Sequence, residues 1–148
     1  MGYARWIRRG LVVAFVGFVA IQLVPYRVHN HATVSEPKWD APLTRRLAAA
    51  ACFDCHSNQA KVKTFEKVAP LSWWITNHVD DGRAALNFSE CGAHREHEGT
   101  AAVREGSMPP SYYTWFGLHN DAKLSASDRQ ALADGLDATA RLGCQTAP

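Results

Sequence analysis

Five consecutive residues constrain this chain more than anything else in it. Cys52-Phe53-Asp54-Cys55-His56 is a C-x-x-C-H sequence, two closely spaced thiols followed at once by an imidazole. That spacing suits addition of both sulfurs across the vinyl groups of one haem, with the imidazole reaching the iron. Cys52 and Cys55 are then the candidate thioether attachment points and His56 the candidate proximal ligand. Such a site asks three things of the remaining chain: export from the cytoplasm, a second axial ligand, and helices able to wrap a flat apolar cofactor. Other chemistries also use paired cysteines. A thioredoxin-like redox pair needs alternating strands and helices around the motif, and none is visible. A zinc site needs a second ligand pair at matching spacing, whereas Cys91 and Cys144 are single and far apart and only His94-x-x-His97 offers another pair. The plainest alternative is an alanine-rich surface helix carrying a chance match.

The N-terminus speaks to export. Arg5, Arg8 and Arg9 precede a run from Gly10 to Val24 that is apolar except for Gln22, and Pro25-Tyr26-Arg27 follows. A hydrocarbon core of about 30 Å needs roughly 20 helical residues, so the run alone is short. Trp6, Ile7 and Tyr26 extend it, with aromatic rings at interface depth and arginines able to snorkel. A cleaved signal peptide shares the charged start and apolar middle, but Tyr26-Arg27-Val28-His29-Asn30-His31 offers no small-x-small cleavage site. The expectation is an uncleaved anchor over residues 1–26, touching lipid through residues 6–26. Its N-terminus would stay cytoplasmic, and everything from about Arg27 onward would lie on the periplasmic or extracytoplasmic side. Without those three arginines the chain has 13 basic residues against 14 acidic ones. That balance gives no concentrated basic face and no case for nucleic acid.

Residues 27–42, with Pro37 and Pro42 bracketing Trp39, are expected to form an extended linker in which His29 and His31 are solvated. A haem domain over residues 43–148 follows. Its first helix is expected near Leu43, with Thr44 a possible cap, running through the alanines into the motif so that Cys52 and Cys55 share one face of its last turn. A second is expected from Ser72 to about Leu86, with Trp74, Ile75, His78, Val79 and Leu86 on one buried face. Trp73 and Trp74 are flat side chains suited to packing on a macrocycle, though tryptophan on a helix is more often plain core. Tyr112, Tyr113, Trp115 and Phe116 could close the same pocket. His119 is expected to be exposed. Ser125-Ala126-Ser127-Asp128 reads as a capping box opening a terminal helix whose buried stripe is Ala131, Leu132, Leu136 and Ala140.

Several blocks in order carry a resemblance. Ile21-Gln22-Leu23-Val24-Pro25-Tyr26, the run from Cys52 to Asn58, Ala69-Pro70-Leu71-Ser72-Trp73, Gly82-Arg83, Leu86-Asn87-Phe88-Ser89, the run from Gly106 to Tyr113, and Leu124-Ser125 resemble a family of bacterial small haem-binding domains with one C-x-x-C-H site. The resemblance covers most of the chain and implies an anchored or exported mono-haem c-type protein. Cys91 and Cys144 depart from its pattern, and a paired gain of two cysteines in an exported domain is most simply a disulfide. His94 and His97 are then solvated residues near that staple, with a surface metal site as the alternative.

Met108 is the leading candidate for the second axial ligand. Apart from Met1 it is the sole methionine, and it sits before Pro109 and Pro110 in a segment those prolines hold extended. Its separation from His56 resembles that of the distal methionine in small mono-haem cytochromes. His78 stands second and an open sixth position third. The expected fold is all-α, a cytochrome c-like helical bundle around one covalent haem c plus the N-terminal transmembrane helix. The expected function is single-electron transfer, without enzyme activity, to or from redox partner proteins in a membrane-bound complex. An accessory haem subunit and a haem-based sensor or peroxidase-like protein with a labile sixth ligand are the alternatives.

Overall fold

A computed structural model describes residues 2–92 and 96–146 of the chain. The described part is mostly helical: α1 (Gly2–Ile21), α2 (Pro42–Ala51), α3 (Phe53–His56), α4 (Leu71–Ala85), α5 (Glu96–Glu105) and α6 (Ala126–Ala140), with short 3-10 turns between them. Two short strands, β1 (Ser35–Pro37) and β2 (Cys144–Thr146), add an antiparallel pair with Pro37 opposite Cys144. The expected all-α class is borne out, with this one small pair of strands added. The pairing follows from the staple beside it, since Cys91 and Cys144 form a disulfide with Cα atoms 5.7 Å apart. The bridge closes a separation of 53 residues, and in the chain-entropy view a loop that long stabilises the fold by about 4 kcal/mol. Replacing both cysteines with serine should lower the denaturant midpoint accordingly, checked by urea unfolding followed by circular dichroism.

The core is built where α2, α5 and α6 meet. Ala48, Ala51, Val103, Leu132, Ala133 and Leu136 are buried together with Phe53 and Phe88. Trp39 completes an aromatic cluster, 5.4 Å from Phe88 and 6.2 Å from Phe53 by ring centroids. Phe53 is the first variable residue of the C-x-x-C-H motif, so the motif is rooted in the core by its own side chain. Ser125 caps α6 as its sequence suggests: its hydroxyl accepts from Asp128 N at 3.1 Å and donates to the Asp128 carboxylate at 2.7 Å. Of the stripe anticipated on α6, Leu132 and Leu136 are buried and Ala131 and Ala140 only half-buried, while Ala133, Gly135 and Thr139 join the buried face.

Thr44 does not cap α2. The cap position is Ala41 with Pro42 at the first turn, and Thr44 is buried against α6. Its side chain occupies the space a Cβ at Gly135 would need. The two helices approach this closely because position 135 has no side chain. Gly135→Ala should destabilise the domain by roughly 1–3 kcal/mol through overpacking. Adding Thr44→Ala should recover much of the loss, a coupling that thermal unfolding of both single variants and the double variant would reveal.

Residues 27–42 are extended but not loose. Asn30 exchanges side-chain hydrogen bonds with the backbone of Ala60 at 2.9 and 3.0 Å. Arg83 of α4 donates to His29 O at 2.7 Å and to Asn30 Oδ1 at 2.9 Å. Glu36 takes two hydrogen bonds from Arg45, at 3.1 and 3.2 Å. The expected linker is thus stitched along the domain, and its proline content does not prevent this because side chains supply the contacts. His29 and His31 are both exposed.

No helix among the described residues is long and apolar enough to cross a membrane. The 20 residues of α1 span about 30 Å, but Arg5, Arg8 and Arg9 lie within its first half, and it ends at Ile21, short of Val24. α1 thus has a charged first half and an apolar second half, and by its length and hydropathy it does not bear out the expected transmembrane helix. Leu11, Val12, Val13, Phe15 and Val16 are all exposed on it.

Candidate haem site

The motif is not the end of one continuous helix. α2 stops at Ala51, Cys52 leaves the helical region, and α3 begins afresh at Phe53. The break turns the motif against α4, and Gly82 is what permits the contact: a Cβ there would lie 2.6 Å from the carbonyl oxygen of Cys55. Arg83, next in α4, donates to Ser57 O at 2.9 Å. One helix thereby grips the chain on both sides of His56.

The segment Leu86-Asn87-Phe88-Ser89 does the complementary work. Leu86 O lies 3.0 Å from His56 Nδ1. A carbonyl can only accept, so Nδ1 carries the proton and the lone pair sits on Nε2. Phe88 N donates to His56 O at 2.8 Å, Asn87 Nδ2 donates to Asn58 Oδ1 at 3.0 Å, and Asn58 N donates to Ser89 Oγ at 3.0 Å. Burial pushes the pKa of His56 below the ordinary value, which keeps the ring neutral and able to ligate a metal. Nothing in the residue types of this segment announces its orienting role. The contacts to the ring come from backbone groups of Leu86 and Gly82, and a backbone atom leaves no residue-type signal.

Cys52 and Cys55 are unbonded to each other and partly buried. Burial pushes the Cys52 thiol up to about 12 and the Cys55 thiol up to about 11. A thioredoxin-type nucleophile needs the opposite, a thiol whose pKa is lowered.

Asp54, the second variable residue, ties two further segments to the motif. Its carboxylate accepts from Lys61 N at 2.8 Å and from Tyr113 OH at 2.6 Å. Tyr113 stacks on His119 with centroids 3.9 Å apart, and His119 Nε2 lies 3.1 Å from Glu66 Oε1. His119 is only 8% exposed, against the expectation of a surface residue. Its surroundings in sequence are polar, and the carboxylate it meets, that of Glu66, comes from 53 residues away.

The face expected on α4 is rotated. Ser72, Thr76 and Val79 point inward, whereas Trp74 and His78 are exposed. Thr76 takes an inward position because its Oγ1 donates to Ser72 O at 2.7 Å, satisfying itself within the helix. Trp74, His78 and Tyr112 form an aromatic group of their own, with Trp74 4.0 Å from His78 and 5.5 Å from Tyr112. Trp73 is half-buried and its indole Nε1 is enclosed without a hydrogen-bond partner. Trp115 and Phe116 point to solvent, Phe116 at 94% exposure with φ +56°, so they do not close a pocket as expected.

Met108 follows α5 in a loop held from two sides. Its N–H donates to Ala102 O at 3.1 Å, and Arg129 of α6 donates to Met108 O at 2.9 Å and to Val103 O at 3.0 Å. The residue is 38% exposed. Four residues on, Tyr112 meets Trp74, and the next residue, Tyr113, is bonded to the motif through Asp54. His94 and the side chain of His97 lie outside the described residues. Among those described, no group of three or more His, Cys, Asp or Glu could hold a metal ion.

A family model described as a haem-binding domain matches residues 16–138. The chain belongs to this haem-binding domain family. No curated protein and no solved structure matches it. The match begins inside α1, so the end of that helix is part of the family region.

The residues present fit a haem. An imidazole is oriented with its lone pair on Nε2, two unpaired thiols precede it, and Trp74, Tyr112 and Met108 leave apolar surface uncovered. The enclosed Trp73 Nε1–H is a donor still in need of an acceptor, and a haem carries two carboxylates.

Proposed function

We propose that this chain is a membrane-anchored mono-haem c-type cytochrome that passes single electrons to or from a membrane redox complex. Cys52 and Cys55 hold the haem as thioethers, and His56 and Met108 ligate its iron in a cytochrome c-like helical setting. When bound, the haem supplies a one-electron ferric–ferrous couple. The chain's own residues do the rest. His56 presents Nε2 because Leu86 O holds Nδ1–H, and Phe53 and Asp54 fix the motif to the core and to the Tyr113 segment. Arg129 steadies the loop from which the thioether reaches. Pairing methionine with histidine raises the reduction potential relative to two histidines. The observation that carries this reading is the oriented His56 imidazole directly after two unpaired thiols, in a chain of a haem-binding family.

One observation favours a second ligation. His78 Nδ1 lies 2.9 Å from Trp74 O, so its ring too is held with the lone pair on Nε2. A redox titration followed by optical spectroscopy separates the two. A near-infrared methionine-to-iron band supports His56/Met108, and a bis-histidine spectrum without it supports His56/His78. Rapid, stoichiometric carbon monoxide binding to the ferrous protein would instead indicate a labile sixth position and a sensor or small-ligand role. Co-purification of other chains in mild detergent would mark an accessory subunit.

A further inference from the structure

The polar interruption in the N-terminal apolar run has a partner. Gln22 Nε2 donates to Ala69 O at 3.1 Å, and Ala69 N donates to Gln22 Oε1 at 2.9 Å. The side-chain amide thus satisfies both backbone groups of one residue, as a neighbouring strand would. Tyr26 adds a second tie, its hydroxyl donating to Asn77 Oδ1 at 2.9 Å, with Asp80 Oδ2 at 3.3 Å. The apolar end of α1 is therefore fastened to one side of the domain.

That side exposes apolar residues beside the polar Asn77 and Asp80. Val68 and Leu71 flank the clamped Ala69 and are 42% and 40% exposed. Val24, Tyr26, Trp73, Trp74 and Asn77 line an open depression of about 540 Å³ beside them. Leu23 and Val24 are uncovered on the helix side of the clamp. Arg27 and Lys67 are exposed close by in the chain, Arg27 after Tyr26 and Lys67 before Val68. A tryptophan, a tyrosine and basic residues at the edge of an apolar surface are the composition of a membrane interface.

We propose that this face, centred on Val68 and Leu71, rests on the lipid bilayer, with the Gln22–Ala69 clamp holding it there. The occupant is the headgroup and upper acyl region of the membrane that α1 enters, so the inference rests on the anchoring proposed above. The continuity of the face with the exposed apolar half of α1 favours lipid over a second protein. The consequence is a domain with a fixed orientation, the start of α4 at Leu71 turned toward the membrane plane. A free tether would present every side in turn.

Spin labels test this on the full haem-loaded chain in vesicles of phosphatidylethanolamine and phosphatidylglycerol. Single cysteines are introduced as Leu71→Cys, Val68→Cys, Leu11→Cys in α1 and Gln130→Cys on α6, with the parent chain labelled in parallel as a blank. The ratio of oxygen to nickel-chelate collision rates should be several-fold higher at positions 71, 68 and 11 than at 130. Adding Gln22→Ala should return positions 71 and 68 to the value at 130 while position 11 stays high. A high ratio at position 11 with 71 and 68 as aqueous as 130 would overturn the bilayer-facing surface and leave the anchor intact. An aqueous value at position 11 would remove the anchor itself. Positions 71 and 68 unchanged by Gln22→Ala would overturn the clamp's role.

Discussion

Met108→Ala in the haem-loaded protein should abolish the near-infrared methionine-to-iron band, turn the ferric haem from low to high spin, and let the ferrous protein bind carbon monoxide rapidly. The reduction potential should fall, within the range of about 0.8 V that axial ligation spans. The fold should survive, because Met108 is 38% exposed and its loop is held through backbone atoms by Ala102 and Arg129. Arg129→Ala gives a graded version of the same experiment. The haem stays attached, but the loop loses its tie to α6, so a fraction of molecules should show the high-spin spectrum. If Met108→Ala leaves the spectrum low-spin and His78→Ala changes it, the ligand pair is His56 and His78.

Gly82→Val should strip most of the haem from the purified protein and lower its thermal midpoint. The added side chain would meet the carbonyl of Cys55, which is backbone and cannot swing aside, so α4 must move off the motif. Overpacking of this kind costs roughly 1–3 kcal/mol, and here the displaced element also carries Arg83 and leads into Leu86, which position His56. Gly17→Val is the matched control. Nothing lies within 4 Å of the position a Cβ would take at Gly17, so haem content and midpoint should be unchanged. Haem per chain, from pyridine haemochrome absorbance against protein concentration, checks both variants.

What could be read in advance divides along physical lines. The motif, the Ser125 cap and the terminal helix are local patterns, and local patterns are visible in a sequence. The Cys91–Cys144 disulfide was legible through pairing logic and is present. The α4 face was misjudged because Trp74 and His78 are apolar or aromatic yet exposed, while Ser72 and Thr76 are polar yet buried. A periodicity argument assigns apolar residues to a protein core, and these side chains would instead face a cofactor. His119, Glu66 and Tyr113 were missed as a group because their contacts join positions more than 50 residues apart in the case of His119 and Glu66. Gln22 looked like a flaw in an apolar run, and its use as a backbone clamp on Ala69 depends wholly on tertiary placement.

The claim on which the rest depends is that Cys52 and Cys55 carry a haem covalently. Intact-mass spectrometry of the protein, produced with a haem-attachment apparatus and denatured in acidified organic solvent, tests it directly. The account predicts a single species heavier by one haem, its added mass mapping after proteolysis to the peptide containing Cys52 and Cys55. A chain at its unmodified mass, with the haem released into the solvent, would contradict it.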